Sequence, residues 1–108
     1  MTLKDKKCVP CEGGVAALTN GQITSKLESL TGWEQCGKKI KKLFKFKNFK
    51  EALTFVNQVG EIAETERHHP DIFLAYGKAE IEIWTHAIDG LSENDFILAA
   101  KIDDLVTA

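Results

Sequence analysis

The stretch ETERHHP, residues 64–70, decides the interpretation of this chain because it holds two of its three histidines. Pro70 disfavours the α region for His69, so a helix that runs into this stretch is predicted to end at the histidines. The third histidine, His86, ends an alternating segment that is predicted to be a strand. Imidazoles at a helix end, facing another imidazole on a neighbouring strand, can form a proton-transfer site, since the ordinary histidine pKa is about 6.5.

The segment before the histidines has the pattern of the longest amphipathic helix in the chain, from about Phe49 to Arg67. Asn48 is a predicted N-cap, and Glu51 completes a capping-box pattern three residues later. Small Gly60 and Ala63 are predicted to let this helix lie close to a sheet. The residues that repeat at helical spacing are Phe49, Ala52, Leu53, Val56, Val59, Gly60 and Ala63.

The segment after the histidines predicts a hairpin. A short strand over Ile72–Tyr76 is followed by a Gly77-Lys78 turn and a second strand from Lys78 to His86. The second strand alternates strictly, so its apolar set should face the helices and its polar set an open face. The apolar set is Ala79, Ile81, Ile83 and Thr85, and the other set is Glu80, Glu82, Trp84 and His86.

A last helix is predicted from about Glu93 to Val106. Ser92 is its N-cap candidate with Asp95 at the third position, and Leu91 with Phe96 forms a hydrophobic staple. Its apolar arc is wider than one sheet contact needs, which indicates burial on a second side, most easily by another subunit.

The first half of the chain predicts an extended lead-in over residues 1–20, a helix over Gln22–Leu30, and strands over Trp33–Gly37 and Lys39–Phe46. The whole chain, residues 1–108, is therefore expected to be one α+β domain. Its antiparallel four-stranded sheet should carry three helices packed on one face, in the order helix, two strands, helix, two strands, helix.

Composition excludes several function classes. The formal net charge of −2 gives no reason to expect nucleic acid as a partner. Seven lysines between Lys38 and Lys50 form a basic run, interpreted chiefly as a solvated strand face, with phosphate binding as the alternative. No apolar run approaches the length of a membrane span and no signal-peptide core is evident, so a soluble, cytoplasmic protein is expected.

Three cysteines, an odd number, argue against a disulfide framework. Cys8 and Cys11 form a C-x-x-C, which Cys36 and the histidines could complete as a zinc site. No second close pair of ligands exists, so a metal-free protein with two reduced thiols in a loosely ordered segment is favoured.

The spacing of Glu64, His68-His69-Pro70, Tyr76, His86 and Asp95 resembles the signature of the pterin-4a-carbinolamine dehydratases. Three further stretches are similar to that family, and the similarity covers about Ile23 to Leu105. They are Phe46–Val59, Trp84-Thr85-His86, and the segment from Gly90 to Phe96.

The resemblance implies a lyase without a metal or other cofactor. It would dehydrate the 4a-hydroxytetrahydropterin released by aromatic amino-acid hydroxylases to a quinonoid dihydropterin, with a possible functional link to such a hydroxylase. The substrate-binding positions that the resemblance implies are Arg67, His68, His69, Trp84, Thr85, His86 and Ala87. Two residues depart from some relatives: Arg67 stands in place of an acidic residue and Ile72 in place of an aromatic one.

The chemistry supports a division of roles. Losing water from a carbinolamine requires a proton given to the departing hydroxyl and one taken from the adjacent ring nitrogen. We assign these steps to His68 and His86, and pterin orientation to His69. Glu64, one helical turn before His68, is predicted to accept an imidazole N–H and fix its tautomer. Asp95 is interpreted chiefly as a helix cap and, like Pro70, as a supporting residue.

Two other functions stay open. Some members of the resembled family also act as dimerisation partners of a transcription factor, and a binding-only module would tolerate loss of His86. A zinc protein that uses the cysteines and histidines would be revealed by metal analysis. A homodimer or homotetramer is expected, and neither nucleic acid nor a membrane is expected as a partner.

Overall fold

The structure is a computed structural model that describes residues 17–107. The predicted extended segment 1–20 therefore lies mostly outside the described residues. The first helix, α1, runs over Asn20–Leu27, beginning and ending earlier than predicted. Its start is moved by a capping box, in which Thr19 accepts from the Gln22 N–H and Gln22 accepts from the Thr19 N–H.

The four strands are β1 (Glu34–Cys36), β2 (Lys39–Lys45), β3 (Asp71–Ala75) and β4 (Lys78–Ile83). They form one antiparallel sheet in the order β1-β2-β4-β3, which confirms the predicted α+β fold. Gly37 and Gly77 turn the two hairpins at φ +62° and +69°, a region that glycine adopts without a steric penalty.

Strand β4 ends at Ile83, earlier than predicted, because its neighbours offer no pairing partner beyond that residue. Ile83 pairs with Ile40 at the start of β2, and Glu82 pairs with Asp71, the first residue of β3 after Pro70. β3 is an edge strand that begins directly after Pro70, a residue with no N–H to donate to a ladder. The prediction that His86 lies on the strand is therefore wrong.

The alternation predicted for β4 is confirmed. Ala79, Ile81 and Ile83 are completely buried, and Thr85 beyond the strand is also buried. The core lies between this face of the sheet and the helices, and it is completed from the other elements by Ile23, Trp33, Ile40, Phe44, Phe55, Val59, Leu91, Phe96, Leu98, Ala99 and Ile102.

Helix α2 runs over Phe49–Glu66. Asn48 is its N-cap as predicted, accepting from the Glu51 N–H at 2.9 Å. Glu51, however, accepts from the N–H of Lys47 rather than that of Asn48. Ala63 is buried as predicted, whereas a Cβ at Gly60 would meet no atom within 4 Å, so Gly60 does not mediate a close approach. The buried face contains Phe55, while Phe49 and Leu53 are exposed.

Helix α3 runs over Glu93–Thr107. The chain itself covers most of its wide apolar arc, so the arc is not evidence for a partner subunit. The fully or almost fully buried residues are Phe96, Ile97, Leu98, Ala99 and Ile102, and Leu91 of the predicted staple is buried with them. Only the last turn exposes an apolar side chain, Val106.

Three of the seven lysines in the basic run form ion pairs within the chain. Lys38 pairs with Asp89, Lys39 with Glu82, and Lys42 with Asp103 of α3 at 2.9 Å. The Trp33 indole also donates to Asp103, which ties the start of β1 to α3. These contacts favour the structural interpretation of the run over phosphate binding.

None of the helices within residues 17–107 combines the length and the apolar character that crossing a membrane requires.

Candidate active site

The end of α2 places the two adjacent histidines in different surroundings. Arg67 has φ 54° and ψ 40°, the left-handed conformation that ends many helices. Its N–H and that of His68 both donate to the carbonyl of Ala63. The helix therefore stops at Glu66, before the histidines, and the stop is made by Arg67 rather than by Pro70.

His68 faces inward and contacts α3. Its Nε2 lies 2.6 Å from Oδ1 of Asp95, its side chain is 12% exposed, and the carboxyl of Asp95 is completely buried. The prediction that Glu64 pairs with His68 is wrong. Glu64 instead contacts Nε2 of His69, and both of those side chains are largely exposed. The left-handed turn at Arg67 breaks the regular helical spacing on which that prediction depended.

The second oxygen of Asp95 is held by two further groups. Thr85 Oγ1 lies 2.8 Å from Oδ2, and the backbone N–H of Ser92 donates to the same oxygen at 2.8 Å. The Ser92 hydroxyl is 2.8 Å from that of Thr85. The Ser92 N–H to Asp95 bond is one half of a capping box, so the capping prediction for Asp95 is correct but incomplete.

His86 lies just beyond this network. It begins a short 3₁₀ turn, His86–Ile88, and its exposed ring packs on Trp84 with ring centroids 4.2 Å apart. The ammonium of Lys39 lies 5.5 Å from the centre of the Trp84 ring. The indole Nε1 of Trp84 is buried and has no hydrogen-bond partner within residues 17–107.

The structure thus joins two of the predicted segments through Asp95. His68 from the end of α2 and Thr85 from the segment after β4 both bond to it, and Trp84, His86 and Ala87 flank Thr85 in sequence. Ser92 was predicted as a helix cap but not as part of the site, and the bridging role of Asp95 was not predicted. The occurrence of Asp95 in the resembled signature was the signal that could have revealed that role.

Other predicted residues lie apart from this network. Arg67 is exposed at the helix end, and Tyr76 of the resembled signature is 75% exposed. Ile72 is partly buried and packs on the core beside Ile81. Pro70 is half-buried between His69 and β3.

The described residues, 17–107, contain no candidate metal site. Within residues 17–107 no three His, Cys, Asp or Glu side chains are grouped as a metal site would require. Cys36 is a free, exposed thiol on β1. Cys8 and Cys11 lie outside the described residues.

The fold and the site define a small α+β protein with an imidazole held by a buried carboxylate, an arrangement suited to proton transfer. The family model of pterin 4 alpha carbinolamine dehydratase matches residues 16–105, and the chain belongs to this family of hydro-lyases.

Known proteins similar to this chain carry related names. A Halorhodospira halophila protein is 54% identical over 107 residues, which cover 97% of this chain and 98% of that protein. A Rubrobacter xylanophilus protein is 50% identical, with 95% and 97% covered. Both are named "Putative pterin-4-alpha-carbinolamine dehydratase". The crystal structure of a "transcriptional coactivator/pterin dehydratase" from Brucella melitensis is 33% identical with a TM-score of 0.79, covering 82% of this chain and 97% of that one.

Proposed function

We propose that this protein removes water from a 4a-hydroxytetrahydropterin to give a quinonoid dihydropterin, with His68 and His86 as the proton-transferring groups. The observation that carries the proposal is the Asp95 bridge, which anchors His68 and Thr85 on one buried carboxylate. It brings the helix end and the segment of His86 to the same part of the molecule, as catalysis by two imidazoles requires.

The reaction needs two proton transfers at neighbouring atoms. One imidazolium gives a proton to the departing hydroxyl of the substrate, and one neutral imidazole takes the proton from the adjacent ring nitrogen. Such acid–base catalysis accelerates a reaction by about 10²–10⁴-fold. His68 is held by a carboxylate, whereas His86 rests on an aromatic ring. The two histidines therefore have the different environments that two different roles demand.

The surrounding side chains suit a flat heterocycle. The Trp84 ring offers an aromatic surface beside His86, and His69 presents an exposed imidazole paired with Glu64. We assign pterin contacts to these residues and to Arg67, Thr85 and Ala87. The pterin is the substrate, and the proposed chemistry uses no resident cofactor. Its physiological role would be to recycle the pterin cofactor of aromatic amino-acid hydroxylases.

The test is turnover of chemically generated 4a-hydroxytetrahydropterin, followed by the absorbance of the quinonoid product. The enzyme should raise the rate well above the spontaneous dehydration. A stable reduced-pterin analogue titrated into protein with labelled histidine rings should shift the ring resonances of His68 and His86. No rate increase over the spontaneous reaction would refute the proposed function.

A second candidate is a protein-binding role, favoured by the similarity to the Brucella protein named a coactivator. A groove of about 610 Å³ between α2 and α3 gives a surface for it, with Ile62 and Leu105 among its lining residues and Glu61 and Asp104 at the same site. Replacing His86 by Ala distinguishes the two candidate functions, because a binding module would tolerate the change and the dehydratase would lose activity.

A further inference from the structure

We propose that Asp95 is a positioning residue that holds His68 in the tautomer with its proton on Nε2, leaving Nδ1 as the atom that exchanges a proton with the substrate. The kinetic part of this inference rests on the proposed function. The position of the His68 proton does not depend on the proposed function and can be tested separately.

The proton positions follow from the groups around Asp95. An ionised carboxylate only accepts hydrogen bonds, so the 2.6 Å contact between its Oδ1 and His68 requires a proton on Nε2. A neutral imidazole carries one proton, and Nδ1 therefore keeps the lone pair. The base in the proposed reaction is then Nδ1.

The hydroxyl protons of Thr85 and Ser92 can be assigned in the same way. Thr85 has one hydroxyl proton, which it donates to Oδ2 of Asp95. The 2.8 Å contact between the hydroxyls of Thr85 and Ser92 must then use the Ser92 proton. The donors run from Ser92 to Thr85 to Asp95, and from His68 to Asp95, so every proton points toward the buried carboxylate.

The Asp95 carboxylate is held in one orientation by its hydrogen-bond partners. Its Oδ2 accepts from the backbone N–H of Ser92, a group that can only donate. Asp95, Thr85 and Ser92 are all buried, so water has little access to replace a lost partner. The Oδ1 edge is thereby directed at His68.

Because Asp95 is held in one orientation and only accepts hydrogen bonds, Asp95→Asn tests the proposed proton positions directly. An asparagine must keep its oxygen on the Ser92 N–H, because turning the amide would set two donors against each other. Its NH₂ then faces His68 and needs an acceptor, so Nε2 should lose its proton and Nδ1 should gain it. The shape of the site is retained while the tautomer is inverted, as is known for the equivalent change in serine protease triads.

The experiment measures ¹⁵N resonances of the His68 ring at pH 8.5, above the ordinary titration range of histidine. The unaltered protein should show a protonated Nε2 and an unprotonated Nδ1. Asp95→Asn should reverse the pattern. Asp103→Asn is the matched control, because Asp103 lies on the same helix and contacts Trp33 and Lys42 instead. It should destabilise the protein yet leave the His68 tautomer and turnover intact.

Kinetics supply the second readout. Asp95→Asn should lower kcat by about 10²–10⁴-fold, the usual worth of acid–base catalysis, with a much smaller change in KM. Thr85→Ser, which keeps the hydroxyl, should retain turnover better than Thr85→Val.

The outcomes are distinguishable. A proton on Nδ1, or on both nitrogens, in the unaltered protein would overturn the inference even if Asp95→Asn failed to fold. So would a folded Asp95→Asn protein with an unchanged tautomer and full kcat. Confirmation of the tautomer in a protein that does not dehydrate the pterin would instead refute only the proposed function.

Discussion

The adjacent His68 and His69 differ in burial and in hydrogen-bond partner because of the residue before them, Arg67. Arg67 adopts a left-handed conformation, so the chain leaves the helix axis just as the histidines begin. His68 turns toward α3 and contacts a completely buried carboxylate, while His69 stays at the surface beside Glu64. At the residue scale, these different surroundings are the reason that we assign proton transfer to His68 and substrate orientation to His69.

We expect His68→Ala and His86→Ala each to lower turnover by about one to three orders of magnitude, since each removes a proton-transferring group. The double variant should lose less than the product of the two single losses, because groups acting as a unit are not additive. His69→Ala should chiefly raise KM. Steady-state kinetics of the four variants provide the measurement.

Circular dichroism of each variant controls for folding. A fully active His86→Ala protein, or a His69→Ala protein with the largest loss in kcat, would contradict this division of roles.

At the scale of elements, helix α2 and the β3–β4 hairpin use glycine in opposite ways. Gly60 lies inside α2, where a Cβ would meet nothing within 4 Å. Gly77 turns β3 into β4 at φ +69°, and a Cβ there would lie 3.1 Å from the carbonyl oxygen of Phe46. One glycine weakens its helix for no packing benefit, whereas the other is required by its turn.

Gly60→Ala should therefore raise the free energy of unfolding by about 0.5–1 kcal/mol, the usual difference between alanine and glycine within a helix. Gly77→Ala should lower it by about 1–3 kcal/mol, because alanine is strained at positive φ. Urea unfolding of both variants, followed by circular dichroism, measures the two changes. A destabilised Gly60→Ala protein would show that another surface covers this position.

At the scale of the whole molecule, the open face of the sheet exposes two large apolar side chains among charged ones. Leu43 and Phe73 both flank Glu80 across the ladder and are 44% and 61% exposed. Exposed apolar residues grouped in this way often mark an interface. Since the chain covers most of the α3 arc itself, we place the expected self-association on this sheet face.

Light scattering at micromolar concentration should then give a mass of at least twice 12.0 kDa. Replacing both Leu43 and Phe73 by Ser should shift the protein toward the monomer, whereas the same replacement at exposed Val106 should not. A clean monomer for the unaltered protein would contradict the expectation.

We also expect catalysis without a metal or the N-terminal thiols. Replacing Cys8 and Cys11 together by Ser should leave turnover and stability near the parent values, because both lie outside the matched residues 16–105. Elemental analysis should find no stoichiometric zinc, and turnover should survive a chelator. One tightly held metal per chain, or a large loss in the double variant, would restore the zinc interpretation.

The sequence was sufficient to predict the order of helices and strands and the buried face of β4, because hydrophobic periodicity is a local pattern. It did not determine which carboxylate serves His68. Glu64 was the near neighbour in sequence, but Asp95, on a different helix, is the partner in space. The choice depends on contacts between distant segments: the left-handed turn at Arg67 redirects the chain, and the packing of α3 places the buried Asp95 beside His68.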